Sequence, residues 1–161
     1  MDTKILKKAE EMVALLKEKN LKIATAESCT GGMVASYITS VSGVSQVFEL
    51  GVTSYSNDIK NRILKVDAQT LENLGAVSAE TAKQMAENVR DLAKSDIGVS
   101  VTGVAGPASQ EGHPVGFVYV GFADKNTSFV KLLNIEPLSR NFVREQAVLA
   151  VFDTVMNHIK T

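Results

Sequence analysis

At 161 residues, 45% of them hydrophobic and 22% charged, the chain is expected to fold as one globular domain, residues 1–161, with a sizeable core. Its 17 basic and 18 acidic residues leave a formal net charge of -1 with no dense block of either sign, which argues against nucleic-acid or membrane binding through bulk charge. Cys29 is the only cysteine and His113 and His158 the only histidines, so an intrachain disulfide is excluded and a Cys- or His-built metal site is disfavoured.

Ile5, Leu6, Ala9, Met12, Val13 and Leu16 recur at helical spacing between Lys and Glu, predicting an amphipathic helix over 3–19. This charged N-terminus does not read as a leader, no stretch approaches the length of a membrane span, and a cytoplasmic protein is the expectation. A strand over 22–26 and a helix over 32–41 follow, joined by Glu27-Ser-Cys-Thr-Gly-Gly32. Ser42-Gly43 breaks the pattern before a strand over 47–54. Asn57 is placed to cap a helix carrying Ile59, Ile63 and Leu64, and Asp67 to cap one that Gly75 ends.

Ser78 opens a longer helix through Leu92, and a β-branched strand over 97–102 runs into the small-residue turn Gly103-Val-Ala-Gly-Pro107. After an exposed loop over 108–114, strands over 115–123 and 128–135 form a hairpin, and Ser139 introduces a last helix. Helices interleaved with strands predict a three-layer α/β/α sandwich with a mixed, mostly parallel sheet. Right-handed crossovers place Ser28 and Thr102 on one rim of that sheet, where open α/β sheets bind ligands.

Three segments are expected to converge there: 28–32, 55–60 and 102–107. A helix N-terminus after Ser28 offers unpaired N–H groups able to hold an anion or oxyanion. On local pattern alone Glu27, Ser28 and Thr30 read more readily as ordinary capping residues, since small polar residues before helices are common. A nucleophilic serine needs a base, and with neither histidine in these segments Lys60 is the remaining candidate, provided burial lowers its pKa. Tyr55 is placed to orient that lysine or relay a proton, or simply to pack at the strand end. Cys29 ranks below Ser28 as a nucleophile, because no histidine neighbours it in sequence. Arg140 and Arg144 share a helix face and suit a phosphate or carboxylate, or a surface ion pair. The turn at 102–107 lacks the lysine and Ser/Thr of a P-loop and the spacing of a dinucleotide fingerprint.

The motifs Ala26-Glu-Ser-Cys-Thr-Gly-Gly32, Gly51-Val-Thr-Ser-Tyr-Ser-Asn57 with Lys60, Gly75-Ala-Val-Ser78, Val101-Thr-Gly-Val-Ala-Gly-Pro107, Pro114-Val-Gly116 and Ser139-Arg140 with Arg144 occur in this order. Together they closely resemble the CinA C-terminal domain family, from about Lys22 to the last helix. That family includes stand-alone nicotinamide-nucleotide amidohydrolases of the PncC type. The resemblance implies hydrolysis of nicotinamide mononucleotide to nicotinate mononucleotide and ammonia, with no metal or organic cofactor. By the same resemblance Ser28 is the nucleophile and Lys60 the general base, with Tyr55 beside them. Thr30, Gly31 and Gly32 form the oxyanion turn, Thr102 and Gly103 the opposite wall, and Arg140 contacts the phosphate or ribose.

The loop 108–113 is shorter than the family's usual glycine-rich version, and His113 stands where a lysine is common. A nucleotide-binding module without turnover and a Ser or Cys hydrolase for another small amide are the alternatives. The first and last helices are each able to bury a partner surface, so a homodimer is expected, with a small-molecule nucleotide as the other partner.

Overall fold

The computed structural model describes residues 1–161. Helix α1 (Thr3–Glu18) starts where the Asp2 carboxylate accepts from the Lys4 and Ile5 N–H groups, and it buries Ile5, Ala9, Met12, Val13 and Leu16. Strand β1 (Ile23–Glu27) is buried at every position, as a central strand covered on both faces must be. Helix α2 (Met33–Thr39) is shorter than its sequence pattern suggests. The chain leaves it at Ser40 and uses Gly43, at φ 73°, to enter a single 3-10 turn over Val44–Gln46 before strand β2 (Phe48–Thr53).

Helices α3 (Asn57–Arg62), α4 (Ala68–Leu74) and α5 (Ala79–Ala93) follow, capped by Ser56, Asp67 and Ser78. Asn57 is therefore the first residue of its helix and not the cap, since the Ser56 hydroxyl takes the Ile59 N–H. Strand β3 (Ile97–Gly103), the hairpin of β4 (Phe117–Ala123) and β5 (Ser128–Asn134), and helix α6 (Arg140–Ile159) complete the chain.

The sheet order is β2-β1-β3-β4-β5. Strands β2, β1 and β3 run parallel, and β4 is antiparallel to both of its neighbours, so β5 points the same way as the first three. Helices α1, α2 and α6 cover one face in a 27-residue core that includes Ile23, Val99, Val120, Phe122 and Phe152. On the other face Ala24 and Ala26 pack with Leu64, Val66, Leu71, Met85 and Val89 around α5. The result is the three-layer sandwich with a mixed sheet that the alternation of elements predicts. The apolar face of α1 is spent inside this core, against α6 and α2, and is not free for a partner.

Helix α5 lies unusually close to the sheet. A Cβ on Gly98 would stand 2.1 Å from the Ala86 carbonyl oxygen, and one on Gly121 would stand 2.5 Å from that of Ala82. Between them the Ser100 hydroxyl donates to the Ala82 carbonyl at 2.6 Å. The C-terminal ends of β1, β2 and β3 meet on one rim, and the segments leaving them carry Ser28, Ser54 and Val104.

Candidate active site

Ser28 is the first residue beyond β1, and its N–H continues the β1–β3 ladder by donating to the Val101 carbonyl at 2.9 Å. On the other side the Ser54 N–H continues the β1–β2 ladder onto the Glu27 carbonyl at 2.8 Å. Two rigid strand ends therefore hold Ser28 and Ser54 side by side. Ser56 then caps α3, and one turn of that helix returns Lys60 to the same point.

The Lys60 Nζ lies 2.9 Å from the Ser28 Oγ and donates to the Ser54 carbonyl at 2.7 Å. The side chain is 1% exposed, without a carboxylate salt bridge. Burial pulls its pKa from 10.5 down to about 8, a drop opposed by the Glu111 carboxylate. A neutral amine is thus within reach near neutral pH, with its lone pair facing the serine hydroxyl. Cys29 has the opposite fate: burial pushes its thiol up to about 12, so it carries a proton at neutral pH and makes a poor nucleophile.

The turn after Ser28 departs from the sequence expectation. Glu27, 1% exposed, folds its carboxylate under α2 and accepts from Gly32, Val34 and Ala35 N–H groups at 3.1, 3.0 and 2.9 Å. The Gly31 N–H is taken by the Ser28 carbonyl at 3.0 Å. Gly31 and Gly32 therefore cannot supply the oxyanion donors, because both amides are already spent. The N–H groups of Cys29 and Thr30 donate to no main-chain acceptor, and of these two residues only Cys29 lines the cavity with Ser28. The capping expectation holds for Glu27 alone. Gly31 and Gly32 serve the turn through φ values of 58° and 94°, which favour glycine. Thr30 is fully buried, and its carbonyl accepts from the Arg144 Nη2 at 2.9 Å.

Ser28, Cys29, Tyr55, Asn57, Lys60, Thr102, Gly103 and Arg140 line one cavity, together with Ala76, Val77, Ala108 and Gln110. Thr30, Gly31 and Gly32 do not line it. The Thr102 hydroxyl donates its proton to the Ala76 carbonyl at 2.7 Å and so braces the wall at 76–77. Gly103 is required by β4, since a Cβ there would stand 2.6 Å from the Val118 Cα.

Tyr55 is 61% exposed, and its hydroxyl accepts from the Arg140 Nη2 at 2.9 Å. No hydrogen bond joins it to Lys60, whose Nζ bonds the Ser54 carbonyl and the Ser28 hydroxyl. Arg140 also donates to the Gly106 carbonyl, next to the cis Gly106–Pro107 peptide, and so bridges two sides of the cavity mouth. Arg144, four residues on, turns away to brace the back of the Ser28 turn. The two arginines therefore do not form one anion site, and neither pairs with an acid.

Ser54 and Glu111 were not legible as site residues: one acts through its main-chain carbonyl and the other lies in an unstructured-looking loop. The pattern of Glu-x₄-Gly ahead of a helix is the only local trace of the Glu27 cap. Nowhere do three or more His, Cys, Asp or Glu side chains gather as a metal would need.

A family model described as the CinA C-terminal domain matches residues 5–159. A competence-damage inducible protein of Caldanaerobacter subterraneus is 49% identical over 152 residues, which is 94% of this chain and 37% of that protein. One from Streptococcus pneumoniae is 46% identical over 148 residues, 91% of this chain and 35% of that protein. The chain thus spans little more than a third of the length of these curated relatives. Among solved structures, the competence/damage inducible protein CihA from Agrobacterium tumefaciens superposes with a TM-score of 0.94 at 30% identity, covering 100% of this chain and 98% of that one. A CinA superfamily protein from Escherichia coli gives 0.93 at 26% identity, covering 98% and 93%.

Proposed function

The chain belongs to the CinA C-terminal domain family, and we propose that it is an amidohydrolase converting nicotinamide mononucleotide to nicotinate mononucleotide and ammonia by a Ser–Lys mechanism. The observation that carries this reading is the buried Lys60 Nζ at 2.9 Å from the Ser28 Oγ, with its pKa drawn down to about 8. A surface lysine would be charged and useless as a base; this one needs little to lose its proton.

Ser28 Oγ attacks the carboxamide carbon while neutral Lys60 takes the hydroxyl proton. The oxyanion forms beside the Cys29 N–H, which has no main-chain or side-chain acceptor and belongs to a residue lining the cavity next to Ser28. The C–N bond then breaks as the Lys60 ammonium protonates the departing nitrogen, and ammonia leaves. Water, deprotonated by Lys60, attacks the acyl-serine ester; nicotinate mononucleotide departs and Ser28 recovers its proton. In this reading Arg140 contacts the phosphate or ribose of the same substrate, which its position at the mouth of the cavity supports.

Ammonia release from nicotinamide mononucleotide, measured on wild type and Ser28→Ala, tests the reading. Wild type is expected to turn over, and the variant to lose about 10³-fold or more in kcat. Turnover that survives in the variant would move the chemistry away from Ser28. A wild type that binds the nucleotide by calorimetry without releasing ammonia would make the chain a binding module.

A further inference from the structure

We propose that Glu111 is a positioning residue that latches the 107–114 loop over the cavity and so completes the substrate wall. Its Oε1 accepts from the Ala76 N–H at 3.0 Å and its Oε2 from the Val77 N–H at 2.8 Å. Those two amides lie in the turn just ahead of α5 and have no main-chain acceptor, so the carboxylate supplies the partner they lack. One carboxylate thereby ties together two segments that line the cavity from different sides, Ala76 and Val77 from one and Ala108 and Gln110 from the other.

The surrounding chain is shaped to admit this carboxylate. Gly75 sits at φ 83°, and a Cβ on it would stand 2.4 Å from the Glu111 Oε2. Glu111 itself is held at φ 52°, a left-handed conformation that costs a non-glycine residue free energy, followed by Gly112 at φ 77°. The two charge-assisted bonds offset that cost. At its base the loop is closed independently: Gln110 and His113 exchange main-chain hydrogen bonds of 3.2 and 2.8 Å, and the His113 ring stacks on Phe117 with centroids 4.3 Å apart. The loop is therefore a short hairpin with a fixed foot, and Glu111 fastens its tip.

The kinetic part of the proposal rests on the amidohydrolase reading; the structural part does not. Hydrogen exchange is measured on wild type, Glu111→Ala and Glu111→Gln, alongside KM and kcat for nicotinamide mononucleotide. In Glu111→Ala, exchange at residues 76 and 77, whose amides donate to the carboxylate, is expected to quicken about tenfold or more, with the amides of β1 and β3 unchanged. Measured at about pH 9, where Lys60 is neutral with or without the Glu111 charge, KM is expected to rise about tenfold with kcat within about twofold, since the loop walls the site without touching the reacting atoms. Glu111→Gln, which keeps one acceptor oxygen, is expected to fall between wild type and Glu111→Ala on both measures.

Unchanged exchange at those positions in Glu111→Ala would overturn the latch. So would a KM that holds or falls, since a fall would mean that the carboxylate competes with the substrate for the two amides. If wild type does not turn over, the amidohydrolase reading fails, and the exchange data alone decide the latch.

Discussion

Lys60 is where burial and chemistry are most tightly linked. As a base it works only when neutral, so kcat/KM is expected to climb about tenfold per pH unit below about 8 and to level off above it. A profile flat from pH 6 to 9 would remove Lys60 as the base. The same depressed pKa carries a stability consequence. Unfolded, the amine holds its proton up to about 10.5, so stability contributed by the neutral folded form is complete above that pH and is lost as pH falls toward 8. Lys60→Met is therefore expected to be inactive yet more resistant to urea at neutral pH, by about 1–2 kcal/mol, because no buried ammonium remains. Ser28 and Lys60 were both readable as residue types in the sequence. Their 2.9 Å separation was not, since it depends on a strand end and a helix turn 32 residues apart.

At the scale of elements, α5 is seated by the absence of side chains beneath it. Gly98 and Gly121 let its backbone approach the sheet, and Ser100 ties the helix to β3 at the Ala82 carbonyl. Gly98→Ala is expected to push the helix outward and cost about 1–3 kcal/mol in urea unfolding, with Gly121→Ala similar. Because Ala76, Val77 and the Ser78 cap lie at the start of α5, this displacement should also loosen the cavity wall. A neutral Gly98→Ala would mean that the helix has room to give. Most elements were legible from periodicity and capping residues, including the Asp67, Ser78 and Ser139 caps. The 3-10 turn over Val44–Gln46 and the early end of α2 were not, because apolar residues continue through Val41 while the backbone has already turned.

Over the whole molecule, α6 spans both the site and the far end of the sheet. Near its start Arg140 and Arg144 hold the cavity mouth and the Ser28 turn. Near its end His158 Nε2 meets the Asp124 Oδ2 at 2.8 Å, with the imidazole packed on Phe122 and Phe129. Partial burial would raise the Asp124 pKa, but the Asn126 and Thr127 N–H groups and His158 outweigh it and hold the carboxyl below its usual 3.8. A depressed carboxyl contributes stability that is full above its unfolded pKa and lost as pH falls through the folded one. Asp124→Asn is thus expected to lower the melting temperature at pH 6, and the gap to wild type should shrink below pH 4. A gap that stays constant from pH 6 to pH 3 would remove the ionised carboxylate as its cause. No helix is long and apolar enough to cross a membrane.

By itself the sequence determined the layers, since alternating helix and strand periods leave few ways to bury 45% hydrophobic residues. It also marked the rim and the residues able to do chemistry there. Tertiary structure alone decided which polar groups were still free. Glu27 took the α2 amides, the Ala76 carbonyl took the Thr102 hydroxyl proton, and Arg140 took the Tyr55 hydroxyl at the cavity mouth, leaving the Ser28–Lys60 pair and the Cys29 N–H in the cavity lining. Hydrogen-bond partners are set by distances between segments far apart in the chain, and no local pattern encodes them.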